Sequence, residues 1–347
     1  MSEKPLYTSS LGENADIYAF AESVSTVPVQ SRSSVLDEDA PIETRKNKPP
    51  RLLLTLLGDY WWQCTEQLPS AALVALLAEF GVGDAAARAV LSRLVQHGLL
   101  VTSKRGRQTF YGLSDRAAHI LDEGARRIFS FGLQSRPWDG KWSMVAFSIP
   151  EANRQLRYVL RDRLRWLGFS PLYDGLWVSP YDRLSEAASQ LADLSITTVT
   201  MFRSRVTDDT PEAGLPQRAW NLDALREQYE QFIAEIQQLR IHLKKKLVTP
   251  EEALKIRTQA MDAWRSFPAL DPDLPDELLP ADWPREQARQ LFITTYDDLG
   301  PLAQRRVQQI LARYAPDLAR AATCHRSDSL PLLEATDQSA APSLPGS

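Results

Sequence analysis

The sequence predicts a multidomain α+β protein, and three observations carry that expectation. Residues 51–114 hold three short helical patterns followed by a basic, glycine-centred hairpin; residues 141–205 alternate strand and helix patterns as βαββαβ; residues from 218 onward are helical. At 347 residues the chain has room for two or three separate cores.

The first helix is signalled by Leu52, Leu53, Leu56, Leu57, Tyr60 and Trp61, spaced three and four apart on one apolar stripe. Trp61 and Trp62 close it as packing groups. The second opens at Leu68-Pro69-Ser70, a helix-start signal, and runs through Leu73, Leu76, Leu77 and Phe80 to Gly81. A third starts at Asp84, whose side chain suits the free backbone donors of the first turn, and stops at Gly98. With Val90, Leu91 and Leu94 turned to the core, Arg88 and Ser92 point away and Arg93 lies on the flank.

After Gly98 come two β-prone runs, Leu99 to Thr102 and Thr109 to Leu113, separated by a charged loop from Ser103 to Gln108. Its cationic tip, Lys104, Arg105 and Arg107, suits phosphate contact. This order of elements is that of a winged helix, placed at residues 49–136. Taken singly, each arginine also fits a plain solvated surface. Together the cations fall on both elements that would touch a duplex, so sequence-specific binding of double-stranded DNA is the leading expectation. The whole chain carries −4, but residues 51–136 hold ten Lys and Arg against seven Asp and Glu, so any basic footprint is local.

Residues 1–48, rich in Ser, Thr, Asp, Glu and Pro, lack sustained periodicity and predict a disordered arm, as do residues 327–347 for a disordered tail. A helix capped at Ser114 or Asp115 follows the hairpin, and Pro137-Trp138-Asp139-Gly140 breaks the pattern. The middle domain, 137–216, then reads as strand (KWSMVAFSIP), helix (NRQLRYVLRDRLRWLG), one strand pair or a long bent strand (FSPLYDGLWVSP), helix (YDRLSEAASQLADL) and strand (SITTVTMFRSR). That is the ferredoxin-like βαββαβ arrangement.

The C-terminal helical domain, 217–326, begins with a helix over 218–247 whose Leu222, Leu225, Tyr229, Phe232, Ile236, Leu239 and Leu243 make three heptads. This seam either packs inside one subunit or meets its twin; three heptads are short for an autonomous coiled coil, which favours one wall of a helical domain. Helices follow at 250–267 and 285–314, joined by FPALDPDLPDELLPADWP, whose Leu and Trp residues call for burial and so for order.

Chemistry-bearing motifs are few. Cys64 and Cys324 lie far apart, and Cys324-His325 has no further ligands at zinc spacing, a reducing-compartment pattern. His97, His119, His242 and His325 are scattered, and no phosphate loop or nucleophile elbow occurs. No catalytic residue, metal or cofactor is expected. The lack of an 18-residue apolar run or signal-peptide core leads to a cytoplasmic, non-membrane protein as the expectation.

Three blocks, LLLTLLGDYWWQ with LPSAALVALLAEFGVGDAAARAVLSRLVQHGLL, WSMVAFSIPEANRQLRYVLRDRLRWLGFSPLYDGLWVSP, and DPDLPDELLPADWP, resemble the PaaX-type transcriptional regulators of phenylacetate catabolism from about Arg51 to Tyr314. The resemblance implies a winged-helix head, a middle domain similar to the small CRISPR-adaptation nuclease fold, and a helical C-terminal domain. It also implies a homodimeric repressor of aromatic catabolic genes that leaves a palindromic operator when phenylacetyl-CoA or a related aryl-acyl-CoA binds. The rival reading is a metal-dependent nuclease or RNA-processing enzyme built on the middle domain. Such chemistry looks for a carboxylate at the end of the first strand, where this chain has Ser148, and Pro150 redirects the chain before Glu151. Arg154, Arg157, Arg161 and Arg165 recur on one face of the first middle-domain helix, opposite Leu156, Leu160, Leu164 and Leu167. Either nearby acids pair them on a solvated face, or they meet effector phosphates, DNA backbone or an acidic partner.

Overall fold

The computed structural model describes residues 49–328 apart from 63, 134–136, 195, 197, 207–213 and 246–247. The expected arm over 1–48 and, of the expected tail 327–347, residues 329–347 lie outside the described residues; Ser327 is not free tail, since its N–H and hydroxyl donate to Asp297 at 2.9 and 2.7 Å. Among the described residues the chain is a mixed α+β protein with two small antiparallel sheets and a helical C-terminal part. It forms two compact units, neither contiguous in sequence. One comprises the described residues up to Phe129 with Gln238–Trp264 and those from Phe292; the other comprises Ser130–Gln237 with Arg265–Leu291.

In the first unit, helices α1 (Pro49–Tyr60), α2 (Ser70–Ala78) and α3 (Asp84–Gln96) precede strands β2 (Leu100–Arg105) and β3 (Gln108–Leu113), with β1 (Leu68–Pro69) ahead of α2. Leu68-Pro69, read in the sequence only as a helix start, also pairs antiparallel with Tyr111 and Phe110, so the sheet has three strands in the order β1-β3-β2. Two residues show no period, which is why this strand escapes a pattern search. Helix α4 (Asp115–Ser130) is capped by Ser114, whose Oγ accepts from the Ala117 N–H at 3.1 Å and donates to the Gly98 carbonyl at 2.7 Å.

The core of this unit joins the apolar stripes of α1, α2 and α3 to Ala253 and Leu254 of α9 (Pro250–Trp264) and to Ala303, Val307 and Leu311 of the long helix α11 (Arg285–Tyr314). Helix α9 starts with a reciprocal cap: Thr249 Oγ1 accepts from Glu252 N–H, and Glu252 Oε2 accepts from Thr249 N–H. A charged group lies inside. Arg257 is fully buried, donates to the carbonyls of Tyr296 and His325 at 3.0 and 2.8 Å, lies 3.6 Å from the Tyr296 ring centroid, and pairs with Asp59 at 3.4 Å.

In the second unit the sheet order is β5 (Ser170–Tyr173), β6 (Leu176–Ser179), β4 (Trp142–Phe147), β7 (Val199–Ser204), all pairs antiparallel. The segment FSPLYDGLWVSP is thus a strand pair, with an irregularity between Pro171 and Tyr173. Helices α5 (Arg154–Trp166) and α6 (Leu184–Asp193) bury Leu160, Leu164, Ala187 and Leu191 with Val145, Phe147 and Trp177 of the sheet. The helix expected over 218–247 starts four residues later, as α8 (Leu222–Lys245), after the short α7 (Gly214–Ala219). Its seam from Leu222 to Ile236 is buried inside the chain, which answers the question of its partner. The segment before α11, which includes the one-turn α10 (Phe267–Leu270), is ordered as expected. Leu274 and Leu278 are buried, and Asp271 receives a two-pronged contact from Arg285 at 2.9 and 3.1 Å and the Tyr229 hydroxyl at 2.7 Å. Among the described residues no helix is long and apolar enough to cross a membrane.

Candidate nucleic-acid interface

Helix α3 divides into two faces. Ala87, Val90, Leu91 and Leu94 are buried, none more than 1% exposed, so the apolar spacing fixes the roll of the helix. Arg88, Ser92 and Arg93 all lie on the exposed face, as their spacing predicts. Arg88 reaches Asp84 at 3.4 Å, and Arg93 Nε donates to the Ala89 carbonyl at 3.4 Å. Both contacts are long and solvent-exposed, so they hold the guanidinium groups weakly. Asp84 does not cap the helix: Gly83 occupies the cap position in extended geometry and no side chain closes the turn. Asp84 instead sits in the first turn, one residue inside the cap.

The same exposed face carries Ala85, Ala89 and Gln96, whose uncharged side chains give no cationic signal. Spacing from Ser92 by three, four and seven residues would have found them. The two alanines add no bulk between the arginines, which leaves the helix free to approach another surface closely. Gly98, at φ +68°, ends the helix with the Leu99 N–H donating back to the Leu94 carbonyl at 2.9 Å, and the chain turns at once into β2.

The hairpin differs from its sequence reading. Its strands extend to the Arg105–Gln108 pair, which leaves Gly106-Arg107 as the turn rather than a six-residue loop. Gly106 has φ +61° and Arg107 is not in the left-handed region, the pattern of a type II′ turn, in which only the first central residue needs glycine's freedom. Lys104 and Arg105 therefore lie in a strand, and their side chains leave opposite faces of the ribbon. Arg105 stacks on Phe110, 4.7 Å from the ring centroid. The side chains of Lys104 and Arg107 are exposed and make no hydrogen bond or ion pair with the described residues. The tip is thus two cations on one side and at the apex, with Arg105 laid against the other side.

In the second unit, the four arginines of α5 are all engaged within the chain. Arg154 bonds the Tyr158 hydroxyl at 2.8 Å, Arg157 the Ile149 carbonyl at 2.7 Å, Arg161 the Asp174 carbonyl at 3.4 Å, and Arg165 Asp162 at 3.0 Å. They border the buried Leu160 and Leu164 rather than standing opposite them: Arg157 and Arg161 are half-buried, and the most exposed large apolar residue of the helix is Trp166, at 66%. Ser148, just past β4, is exposed, and its N–H donates to the Thr198 carbonyl at 3.2 Å. No group of three or more His, Cys, Asp or Glu with metal-holding geometry occurs among the described residues.

Family models match three successive stretches of the chain. Residues 49–117 match the PaaX-like protein model, 135–215 the PaaX protein central Cas2-like domain, and 220–309 the PaaX-like protein C-terminal domain. Transcriptional repressor PaaX of Escherichia coli K12 is 30% identical over 258 residues, 73% of this chain and 80% of that protein. A solved structure, the uncharacterised protein Rv0674 from Mycobacterium tuberculosis, is 25% identical with a TM-score of 0.49, covering 75% of this chain and 96% of its own. With three models in family order and a repressor matched over four-fifths of its length, the chain belongs to the PaaX family of regulators.

Proposed function

We propose that this protein is a DNA-binding transcriptional repressor whose residues 49–136 act as a winged helix. The observation that carries the reading is the outward face of α3, with Arg88, Ser92 and Arg93 over a buried Val90, Leu91 and Leu94, followed directly by a hairpin bearing Lys104 and Arg107. A helix of that kind fits the major groove, where arginine reads guanine edges, while hairpin cations meet phosphates. Arg105, stacked on Phe110, shapes the wing and adds charge beside it. The similarity to a named repressor supports the same reading.

Residues 137–216 act in this reading as a ferredoxin-like module, supported by the strand order β5-β6-β4-β7, and residues 217–326 as a helical domain. Ser148 in place of a carboxylate at the end of β4 supports a structural rather than hydrolytic role, so the protein works by binding. Two copies would present two α3 helices to a palindromic operator with half-sites about one helical turn, roughly 34–36 Å, apart. The effector proposed from the family resemblance is phenylacetyl-CoA or a related aryl-acyl-CoA, and the target genes those of aromatic catabolism. Arg154, Arg157, Arg161 and Arg165 are the proposed phosphate surface for it, on the ground that four cations share one side of α5. Release requires only that the effector bind the DNA-incompetent state better than the competent one.

A mobility-shift titration at fixed salt on the gene's own upstream region tests this. A specific complex that dissolves with phenylacetyl-CoA but not with free phenylacetate supports repressor and effector together. One indifferent to the thioester removes the effector assignment, and no complex on any duplex overturns the reading.

A further inference from the structure

The C-terminal end of α11 carries two adjacent arginines with opposite fates. Arg306 is neutralised: it grips Glu79 through two hydrogen bonds of 2.8 Å each, with Glu251 at 3.9 Å. Arg305 is exposed and its side chain makes no hydrogen bond or ion pair with the described residues, and the side chain of Arg320, in the 3-10 turn Pro316–Ala321, is the same. Between them lies a groove of about 330 Å3 lined by Arg305, Gln308, Gln309, Ala312, Ala319 and Arg320. Its walls supply two guanidinium groups and two carboxamides, and no carboxylate.

From this we infer that the groove is a further phosphate-contacting surface, and that its ligand is the DNA backbone. Two unneutralised cations flanking a groove select an anion, and guanidinium geometry matches phosphate oxygens. The lining contains no aromatic or branched aliphatic side chain and the groove lies open to solvent, whereas a site that holds a small molecule encloses it. A phosphodiester needs only the charges. The groove also belongs to the same compact unit as α3 and the hairpin. The Arg306–Glu79 grip ties the turn of α11 that carries Arg305 to the end of α2, five residues before α3 begins.

The inference rests on the DNA-binding reading, and one experiment separates their failures. Affinity of the full chain for the upstream duplex and for a scrambled duplex is measured across a salt series for wild type, Arg305→Ala/Arg320→Ala and Arg305→Lys/Arg320→Lys, with thermal unfolding as a check on folding. The expected result is that the alanine pair lowers the slope of log K against log salt by about two and weakens both duplexes alike by tens of fold at roughly 0.1 M salt. The lysine pair keeps most of the wild-type slope. The single variants each lower it by about one, which holds the test open should the double variant fail to fold. Wild-type binding with an unchanged slope in the alanine pair overturns the inference alone. So does an unchanged slope with a weakened response to coenzyme A, which would make the groove a free-phosphate site. Wild type that binds no duplex overturns both.

Discussion

Arg306 and Glu79, 227 residues apart in the chain, meet through two parallel hydrogen bonds of 2.8 Å, Nε to Oε2 and Nη2 to Oε1. Both side chains are largely shielded, 21% and 13% exposed, so the contact is worth more than an open surface pair. Its placement at the C-terminal end of α2 makes α11 part of the support for α2 and, through it, for the helix and hairpin proposed to meet DNA. We expect Arg306→Ala to lower unfolding free energy by about 1–3 kcal/mol. A double-mutant cycle with Glu79→Gln should return a coupling energy above about 0.5 kcal/mol, and a cycle that closes at zero would remove this support role.

Asp59 gives a pH test. Burial pushes its carboxyl above the ordinary value of 3.8, opposed by Arg257 and by the Tyr296 hydroxyl, which donates to it at 2.8 Å. Because the folded state holds the proton more tightly than the unfolded chain, this group's contribution to stability is complete below 3.8 and is lost as pH rises through the raised folded value. Asp59→Asn lacks the titration. The stability difference between wild type and the variant should therefore move in the variant's favour as pH rises, measured by urea unfolding at several pH values. A difference that stays flat or moves the other way contradicts the burial argument.

Arg257 itself should be far less replaceable. Its removal leaves Asp59 buried without its cation and strips two backbone carbonyls of their donor. Arg257→Met is expected to cost about 3–5 kcal/mol, read by the same unfolding experiment.

In the second unit, Asp271 accepts from both Arg285 and Tyr229 and is buried. Tyr229→Phe removes one hydrogen bond to a charged acceptor and should cost about 1.5–3 kcal/mol. Arg285→Ala leaves that carboxylate uncompensated and should cost about 3–5 kcal/mol. Reversal of that order would mean the ion pair is dispensable.

On DNA, the hairpin and α3 should separate by kind of effect. Lys104→Ala with Arg107→Ala should weaken binding to all sequences alike and lower the salt slope by about two, whereas Arg93→Ala should change which bases are preferred, by about 1–3 kcal/mol at one position. Competition titrations with single-base operator variants tell them apart. A changed base preference in the hairpin variant would show that the wing reads bases.

Much of this architecture is legible in the chain. Apolar residues three and four apart give α1, α2 and α3 nearly to their ends, and Val90, Leu91 and Leu94 fix which side of α3 faces out, because a helix can bury only one stripe. The hairpin was less legible. A run of charged residues reads as loop, yet Lys104 and Arg105 continue the strand because the turn that closes it needs only Gly106 and Arg107. Strand β1 is shorter than any period, and the arginines of α5 are periodic in sequence but tied down by carbonyl oxygens of Ile149 and Asp174 that no spacing rule reveals.

What the amino-acid sequence determined by itself was the kind and order of the longer elements and the outward face of α3, since each follows from interactions within a few residues. The tertiary structure alone decided that Arg257 is an internal charge, that the Arg306 side chain is bound while that of Arg305 has no partner among the described residues, and that Arg305 and Arg320 flank one groove. Those outcomes depend on partners tens to hundreds of residues away, and which of several similar arginines finds a carboxylate is settled by packing geometry, which leaves no period in the chain.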